Sequence, residues 1–166
     1  MINVLFMAER NSSRSILAEA LLNRLGAGRF EAFSAGVTPA MAISPYAIAL
    51  LHKINYKIEM LSPKSVEDFG HDAAPQIDIV FRLSHHLPKG KMPIFHGDPM
   101  VIDWFLPDPE DVSGSPAQIA TAYADLFGAL CNRIEVLTHM PVEHVCSPVA
   151  RLRLERMGED YIRLAS

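Results

Sequence analysis

The residues best suited to chemistry form a short polar loop between an apolar segment and the start of a helix. Residues 4–7 are apolar, residues 8–15 read Ala-Glu-Arg-Asn-Ser-Ser-Arg-Ser, and apolar residues recur with helical spacing from Ile16 onwards. A loop that joins a strand to a helix N-terminus directs successive backbone N–H groups at one point, where the helix dipole adds partial positive charge. Arg14 can donate two parallel hydrogen bonds to an oxyanion. The segment therefore predicts a site for phosphate, sulfate, arsenate or a similar anion.

This loop has no nucleophile. The position at which an attacking group would stand, at the end of the apolar segment, holds Ala8. Because a methyl group cannot attack phosphorus or arsenic, the expected role of the loop is binding rather than covalent catalysis. The residues that we expect around the anion are Glu9, Arg10, Asn11, Ser12, Ser13, Arg14 and Ser15.

Several of these loop residues suit more than one role. Asn11 tolerates the left-handed backbone that a tight anion loop needs, and it equally suits an ordinary turn. Glu9 repels an anion if its side chain turns inward and lines the mouth of the cleft if it turns outward, and Arg10 could offset its charge. A cation at a helix N-terminus is unfavourable without an anion or an acidic partner, so we favour a ligand-binding role for Arg14. Hydroxyl groups that could cap the helix belong to Ser12, Ser13 and Ser15.

Further motifs follow in order along the chain. They are Phe33-Ser34-Ala35-Gly36, Pro63-Lys64-Ser65 followed by Phe69, Gly97-Asp98-Pro99 followed by Trp104, and Pro107-Asp108-Pro109. Together with the loop between Ala8 and Arg14-Ser15, they resemble the low-molecular-weight protein tyrosine phosphatases and their relatives, the thioredoxin-coupled arsenate reductases. The resembled families carry cysteine at the position of Ala8. The resemblance covers residues 2–138 and implies the fold and the anion loop of these families.

The resemblance also implies a redox chemistry that this chain lacks the residues to perform. Reductases of this type relay a disulfide through three cysteines, and the corresponding positions here hold Ala8, Ser84 and Met92. Thiol–disulfide exchange needs a thiolate and a second sulfur to resolve the intermediate, and neither Ser84 nor Met92 supplies it. The two cysteines of the chain, Cys131 and Cys146, lie outside these positions.

Asp108 matches the general acid of the resembled families, which protonates the leaving group. Without a nucleophile this acid would be vestigial, and Asp108-Pro109 could equally shape a turn. Phosphatases of the family usually carry tyrosine after this Asp-Pro pair, whereas this chain has Glu110. The difference disfavours a preference for phosphotyrosine.

The composition is that of a compact globular domain. The chain has 166 residues, of which 49% are hydrophobic and 20% are charged, and its net charge is −4. A chain of this length buries about 70% of its unfolded surface. The absence of a basic block disfavours nucleic-acid binding. The N-terminal apolar segment is too short for a signal peptide or a membrane span, and two cysteines fit a reducing compartment, so we expect a cytoplasmic protein that binds neither nucleic acid nor membrane.

Apolar patterns predict alternating strands and helices. The predicted strands are residues 2–7, 30–34, 77–83 and 100–104, and the predicted helices are residues 14–25, 45–53 and 119–137. We expect Ser44 to cap the second helix. The alternation predicts an α/β fold of three layers, a four-stranded parallel sheet with helices on both faces. A ligand should bind beyond the carboxyl end of the first strand, where the loop at residues 8–14 lies.

Residues 139–166 extend beyond the phosphatase/arsenate-reductase-like region at residues 1–138. Ser147-Pro148 could start a further helix. Its apolar side would carry Val149, Leu152, Met157, Tyr161 and Leu164. Such a helix could pack on the domain or provide a surface for a protein partner or a homodimer, and both possibilities stay open.

Two loose groups of potential metal ligands lack a recognised zinc spacing. One group is His85-His86, His96 and Asp98, and the other is His139, His144 and Cys146. We therefore expect no metal and no cofactor. Cys131 lies beside the apolar side of the long helix and is expected in the core.

These observations favour a catalytically inactive phosphatase/arsenate-reductase-like protein that binds an oxyanion or a phospho-ligand at residues 8–14. The alternative is an active phosphatase or reductase relative whose catalytic cysteine was mutated to Ala8. Ser84, Met92 and Glu9-Arg10 also depart from the reductase pattern, which argues against engineering in that branch, but a phosphatase needs only the first cysteine. A third possibility is an interaction module with an empty loop, which titration with an anion would distinguish.

Overall fold

The sheet of this protein has four parallel strands. The computed structural model describes residues 1–85, 87 and 92–165, with side chains described as far as residue 160. The strands are β1 (Ile2–Ala8), β2 (Phe30–Gly36), β3 (Ile79–Arg82) and β4 (Met100–Asp103). Their order in the sheet is β2-β1-β3-β4, and every pair is parallel. The predicted α/β class and the parallel sheet are confirmed.

Four α-helices accompany the sheet. They are α1 (Arg14–Leu25), α2 (Pro45–Lys53), α3 (Pro116–His139) and α4 (Pro148–Ala165). Short 3₁₀ turns lie at Ile58–Met60, Val66–Phe69, Pro109–Asp111 and Val142–His144. No helix in the described part of the chain is long and apolar enough to cross a membrane.

The two faces of the sheet are covered differently. On one face, Val4 and Phe6 of β1 share a large core with buried residues of all four α-helices. On the other face, Leu5 and Met7 pack in a smaller core beneath the 3₁₀ turn Val66–Phe69. The alternation follows from the pleat of β1, which sends successive side chains to opposite faces. The α-helices therefore pack on the first face, and the helical cover of the second face is a 3₁₀ turn.

The topology places the end of β1 at the centre of the sheet edge. The chain passes from β1 to β2 on one side and later returns to β3 on the other side of β1. In the register, Ala8 is opposite Gly36 of β2, and Met7 is opposite Arg82 of β3. Neighbouring crossovers that leave in opposite directions open a crevice at the carboxyl ends of the strands. The loop that follows Ala8 lies in this crevice, as predicted.

Helix α4 packs on the domain with a different side from the predicted one. Val149 and Leu152 are 80% and 50% exposed, whereas Ala150 and Leu154 are buried. The indole Nε1 of Trp104 donates a hydrogen bond of 2.8 Å to the carbonyl oxygen of Leu154. The prediction of this helix's buried side was wrong for Val149 and Leu152, whereas the predicted Met157 does pack against the large core. The predicted side chains of Tyr161 and Leu164 lie outside the described residues.

The N-termini of α3 and α2 differ in how they are capped. At α3, the Ser115 hydroxyl accepts from the Gln118 backbone N–H, and the Gln118 side chain accepts from the Ser115 backbone N–H. Because of this capping box, α3 begins at Pro116, before residue 119 at which the apolar pattern predicted its start. Ser44 occupies the cap position of α2, but its hydroxyl does not cap that helix. Its Oγ instead lies 2.8 Å from the hydroxyl oxygen of Tyr123.

Candidate functional site

The loop between β1 and α1 points its carbonyl oxygens away from the cleft. These carbonyls accept backbone hydrogen bonds from the segment at residues 37–44, which follows β2. The four bonds run from Val37 to Ala8 (3.2 Å), Thr38 to Glu9 (2.8 Å), Ala40 to Arg10 (2.8 Å) and Ser44 to Ser12 (3.0 Å). Asn11 adopts the left-handed backbone that was predicted for it, with φ of 51°.

Most N–H groups of the loop lack such backbone partners. Within the described residues, no protein atom accepts a hydrogen bond from the backbone N–H groups of residues 10–13. The first N–H groups of α1 also lack intrahelical acceptors, as at any helix N-terminus. Residues 11–15 are buried. Backbone N–H donors without a protein acceptor at the positive end of a helix dipole suit an oxyanion.

Asn11 holds the loop in this conformation. Its side chain is 1% exposed, its Nδ2 donates to the Ser15 hydroxyl at 2.8 Å, and its Oδ1 accepts from the Lys64 backbone N–H at 2.8 Å. Gly36 lets β2 approach closely, because a Cβ there would lie 3.0 Å from backbone atoms of Arg10 and Asn11. The loop is thus fixed by contacts on both sides.

The serine hydroxyls do not cap α1. Ser13 occupies the cap position, but its side chain makes no capping hydrogen bond. Its Oγ lies 2.9 Å from the hydroxyl oxygen of Tyr123 and 3.3 Å from a carboxylate oxygen of Glu110. The Ser12 hydroxyl lies 2.9 Å from both carboxylate oxygens of Glu110. The Ser15 hydroxyl accepts a hydrogen bond from the Asn11 side chain. The capping role considered for these serines is therefore wrong.

Arg14 is buried and pairs with Asp108. Its side chain is 7% exposed, its Nη2 donates to Asp108 Oδ2 at 3.0 Å, and its Nη1 donates to the Leu106 carbonyl oxygen at 2.9 Å. Burial lowers the pKa of Arg14, and the Asp108 carboxylate opposes that shift. Asp108 also accepts from the Glu110 backbone N–H at 3.0 Å, so it shapes the 3₁₀ turn as well. The turn-shaping role considered for Asp108 is thus present, and its role as a general acid stays a prediction.

Arg10 and Glu9 lie at the mouth of the site. Arg10 is partly exposed and donates to Glu110 Oε2 at 3.3 Å and to Asp111 Oδ1 at 3.2 Å. Burial lowers the pKa of Arg10, but Asp108, Glu110 and Asp111 outweigh it, so the net shift is upward. Glu9 is exposed, which matches the outward alternative.

A cleft of about 410 Å³ opens beside Arg14. Its lining residues are Glu9, Arg14, Ser84, His85, Leu106, Pro107, Asp108, Asp111 and Val112. His85 stacks against Phe105 with ring centroids 4.1 Å apart. His86 lies outside the described residues. Among the residues that the structure does describe, no group of three or more His, Cys, Asp or Glu side chains could hold a metal ion.

Comparison with known proteins gives the family. A sequence model described as low molecular weight phosphotyrosine protein phosphatase matches residues 3–93, which is more than half of the chain. The chain belongs to this family. It is also similar to the glutaredoxin arsenate reductase of Synechocystis sp., with 31% identity over 137 residues that cover 81% of this chain and 94% of the relative.

Solved arsenate reductases share the fold of this family member. One structure described as an arsenate reductase in the phosphate binding state has a TM-score of 0.65 and 26% identity, and the match covers 83% of this chain and 97% of that one. An arsenate reductase in oxidized state has a TM-score of 0.63 and 29% identity, with the same coverage. The predicted family is thereby confirmed.

The positions at which the reductase branch carries cysteine can now be located. Ala8 is 3% exposed at the end of β1. Ser84 lies beside the start of the loop, because its Oγ accepts from the Glu9 backbone N–H at 3.0 Å. Met92 is half-buried and packs against the smaller core. The two adjacent positions at the site therefore hold a methyl group and a hydroxyl group.

The two cysteines of the chain lie away from this cleft. Cys131 is half-buried and packs against the main core, close to the expected core position, whereas Cys146 is exposed. Burial raises the pKa of both thiols, and the nearby carboxylates Glu135 and Asp78 raise the pKa of Cys131 and Cys146, respectively, further. Neither thiol has the environment of a reactive cysteine.

Sequence reasoning missed the acceptor role of Glu110 and the hydroxyl groups of Tyr123 and Ser44. Glu110 was noted only for replacing a tyrosine. A polar residue directly after Asp108-Pro109 was the available signal, but its contact with Ser12 spans 98 residues of chain and depends on the fold.

Proposed function

We propose that this protein is a catalytically inactive member of its family that binds an oxyanion or a phospho-ligand at the loop of residues 8–14. One observation carries the proposal. Within the described residues, the backbone N–H groups of residues 10–13 have no protein acceptor and are available to an anion, while the nucleophile position holds Ala8. The pairing of a donor-rich loop with a methyl group favours binding without covalent chemistry.

The proposed ligand would accept hydrogen bonds from the loop N–H groups and from the Arg14 guanidinium. Arg14 is held at the cleft by the Leu106 carbonyl, so little side-chain entropy would be lost on binding. The absence of a thiolate at position 8 removes a negative charge that would repel the anion. The exposed Glu9 and the carboxylates of residues 108–111 oppose binding, so we expect modest affinity.

Calorimetric titration with inorganic phosphate tests this proposal. The protein should bind phosphate, and Arg14→Ala should weaken binding by about tenfold or more because charge-assisted hydrogen bonds to the anion are lost. Arg14→Lys keeps the positive charge beside the buried Asp108 and serves as the second variant, with intermediate affinity expected. Arg153→Ala, on the exposed side of α4, is the matched control. Equal binding by the parent and both Arg14 variants would rule out this site.

A second candidate is an active phosphatase whose cysteine was replaced by Ala8. The intact pairing of Arg14 with Asp108 favours it, since both partners would serve a phosphoryl transfer. Sequencing codon 8 of the native gene distinguishes the two candidates. A cysteine codon would establish the second candidate, and an alanine codon would leave the binding function.

Two further proposals concern the surroundings of the protein. We retain the cytoplasm as its proposed compartment, on the basis of its two unpaired cysteines.

A partner or a second copy at α4 is supported by the exposed Val149 and Leu152. Sedimentation of the parent and of a Val149→Ser/Leu152→Ser variant tests the second copy, and a monomeric parent would contradict it.

A further inference from the structure

The carboxylate of Glu110 occupies the side-chain donors of the anion loop. Ser12 Oγ lies 2.9 Å from both of its oxygens, Ser13 Oγ lies 3.3 Å from one, and Arg10 Nη1 lies 3.3 Å from the other. All three donor side chains belong to the loop between β1 and α1. The carboxylate thus receives from the loop the kind of hydrogen bonds that an external anion would receive.

A chain of hydroxyl groups leads to the same carboxylate. Ser44, Tyr123 and Ser13 are linked by oxygen–oxygen distances of 2.8 and 2.9 Å. Each hydroxyl group donates one hydrogen bond, so the chain is satisfied when Ser44 donates to Tyr123, Tyr123 to Ser13 and Ser13 to Glu110. Its last acceptor is the Glu110 carboxylate. The buried hydroxyl groups therefore also favour Glu110 in this position.

The same short segment engages both arginines of the loop. Asp108 pairs with Arg14 at 3.0 Å, and Glu110 pairs with Arg10 at 3.3 Å. Asp111 adds a third carboxylate, 3.2 Å from Arg10. Residues 108–111 therefore place three negative charges against two positive ones. An oxyanion that approaches the loop meets arginines that are already paired.

We propose that Glu110 is an internal ligand of the anion loop and determines which anions the loop accepts. The inference rests on the proposed function of this loop. An external carboxylate would offer only the hydrogen bonds that Glu110 already makes, and Glu110 has the higher effective concentration because it belongs to the same chain. A tetrahedral oxyanion has further oxygens for the loop N–H groups. Binding of such an anion moves Glu110 away from Ser12 and Ser13.

Calorimetric titration of the full chain with inorganic phosphate and with acetate tests the inference. Glu110→Gln keeps the size of the side chain and removes its charge, so phosphate should bind about tenfold more tightly than to the parent. Acetate should become detectable as a ligand only in this variant. Glu31→Gln is the matched control, because Glu31 is exposed near the start of β2, at the opposite end of the strand from the loop.

The outcomes separate this inference from the proposed function. Tighter phosphate binding by Glu110→Gln, with Glu31→Gln like the parent, supports the inference. Parent-like or weaker binding by Glu110→Gln overturns it and leaves the loop as an anion site. If neither the parent nor the variant binds phosphate, the proposed function fails as well. Glu110→Ala is the second variant if Glu110→Gln does not fold, and the same result is expected of it.

Discussion

At the scale of single residues, Ala8 leaves the end of β1 without a group that can carry a negative charge. The backbone around it keeps its hydrogen bonds to residues 37–44, and Asn11 keeps its left-handed conformation. In a family member with a thiolate, the negative charge would lie at position 8, beneath the N–H groups. Here the carboxylates that contact side chains of the loop, those of Asp108, Glu110 and Asp111, come from a separate segment of the chain. The side-chain donors of the loop are therefore paired with carboxylates of the same chain.

Glu19 is a buried carboxyl group of α1 and should make stability depend on pH. It is 7% exposed, accepts a hydrogen bond from Ser34 and lies 3.5 Å from Lys64 Nζ. Burial raises the pKa of Glu19 above 4.5, and Lys64 and Ser34 only partly oppose the shift. The folded state therefore holds the proton more tightly than the unfolded state, and this contribution is lost as pH rises through the folded pKa.

Replacement of Glu19 by glutamine removes this titration. The free energy of unfolding of Glu19→Gln, minus that of the parent, should increase as the pH is raised from about 4.5 to 7.5, since only the parent must ionise a buried carboxyl group. Urea denaturation across this pH range measures the difference. Glu31→Gln reports the effect of the same substitution at an exposed site. A difference that decreases with pH would show that Lys64 outweighs burial.

At the scale of elements, apolar periodicity predicts where a helix lies in the sequence better than it predicts which side of the helix is buried. The bounds of α1 and α2 follow from the sequence because Pro45 and the polar residues before Arg14 are local signals. The buried side of α4 does not, since α4 docks through Ala150, Leu154 and Gly158. Small residues carry little hydrophobic signal, yet they determine how closely a helix approaches a sheet.

Two helical glycines offer a paired test of that close approach. A Cβ at Gly158 of α4 would clash with the Asp103 carbonyl oxygen, whereas a Cβ at Gly128 of α3 would meet nothing within 4 Å. Gly128→Ala should stabilise the protein by about 0.5–1 kcal/mol, because alanine favours the helix. Gly158→Ala should destabilise it by about 1–3 kcal/mol through overpacking. Urea denaturation measures both, and a Gly158→Ala protein as stable as Gly128→Ala would contradict the docking of α4.

At the scale of the whole molecule, the predictable part of the site is the part that is local in sequence. The loop, its left-handed Asn11 and its place beyond β1 follow from neighbouring residues and from the alternation of strands and helices. The contacts of Arg14 with Asp108 and of Ser12 with Glu110 span 94 and 98 residues. Such contacts depend on how loops that are distant in sequence are brought together at the carboxyl edge of the sheet. A local sequence pattern does not predict which of their side chains come into contact.

The substitution Ala8→Cys tests the proposal for the whole molecule, because catalysis by the introduced cysteine would require the loop, Arg14 and Asp108 to act together. As sequenced, the protein should show no turnover of aryl phosphates or arsenate above background. In Ala8→Cys, the loop N–H groups and the helix N-terminus favour a thiolate. The introduced thiol should therefore react with iodoacetamide at neutral pH about tenfold faster than Cys131 and Cys146, whose pKa values are raised by burial. These two native thiols are the internal control.

The same variant should gain weak aryl phosphatase activity and no arsenate reductase activity. Arg14 would hold the phosphoryl oxygens and Asp108 would protonate the leaving group, so Ala8→Cys/Asp108→Asn should lose most of the gained turnover. Arsenate reduction stays absent because Ser84 and Met92 provide no sulfur to resolve the intermediate. If the introduced thiol of Ala8→Cys reacts with iodoacetamide no faster than Cys131 and the variant is inert towards aryl phosphates, the loop lacks catalytic geometry. The protein would then be an interaction module that has kept the family fold.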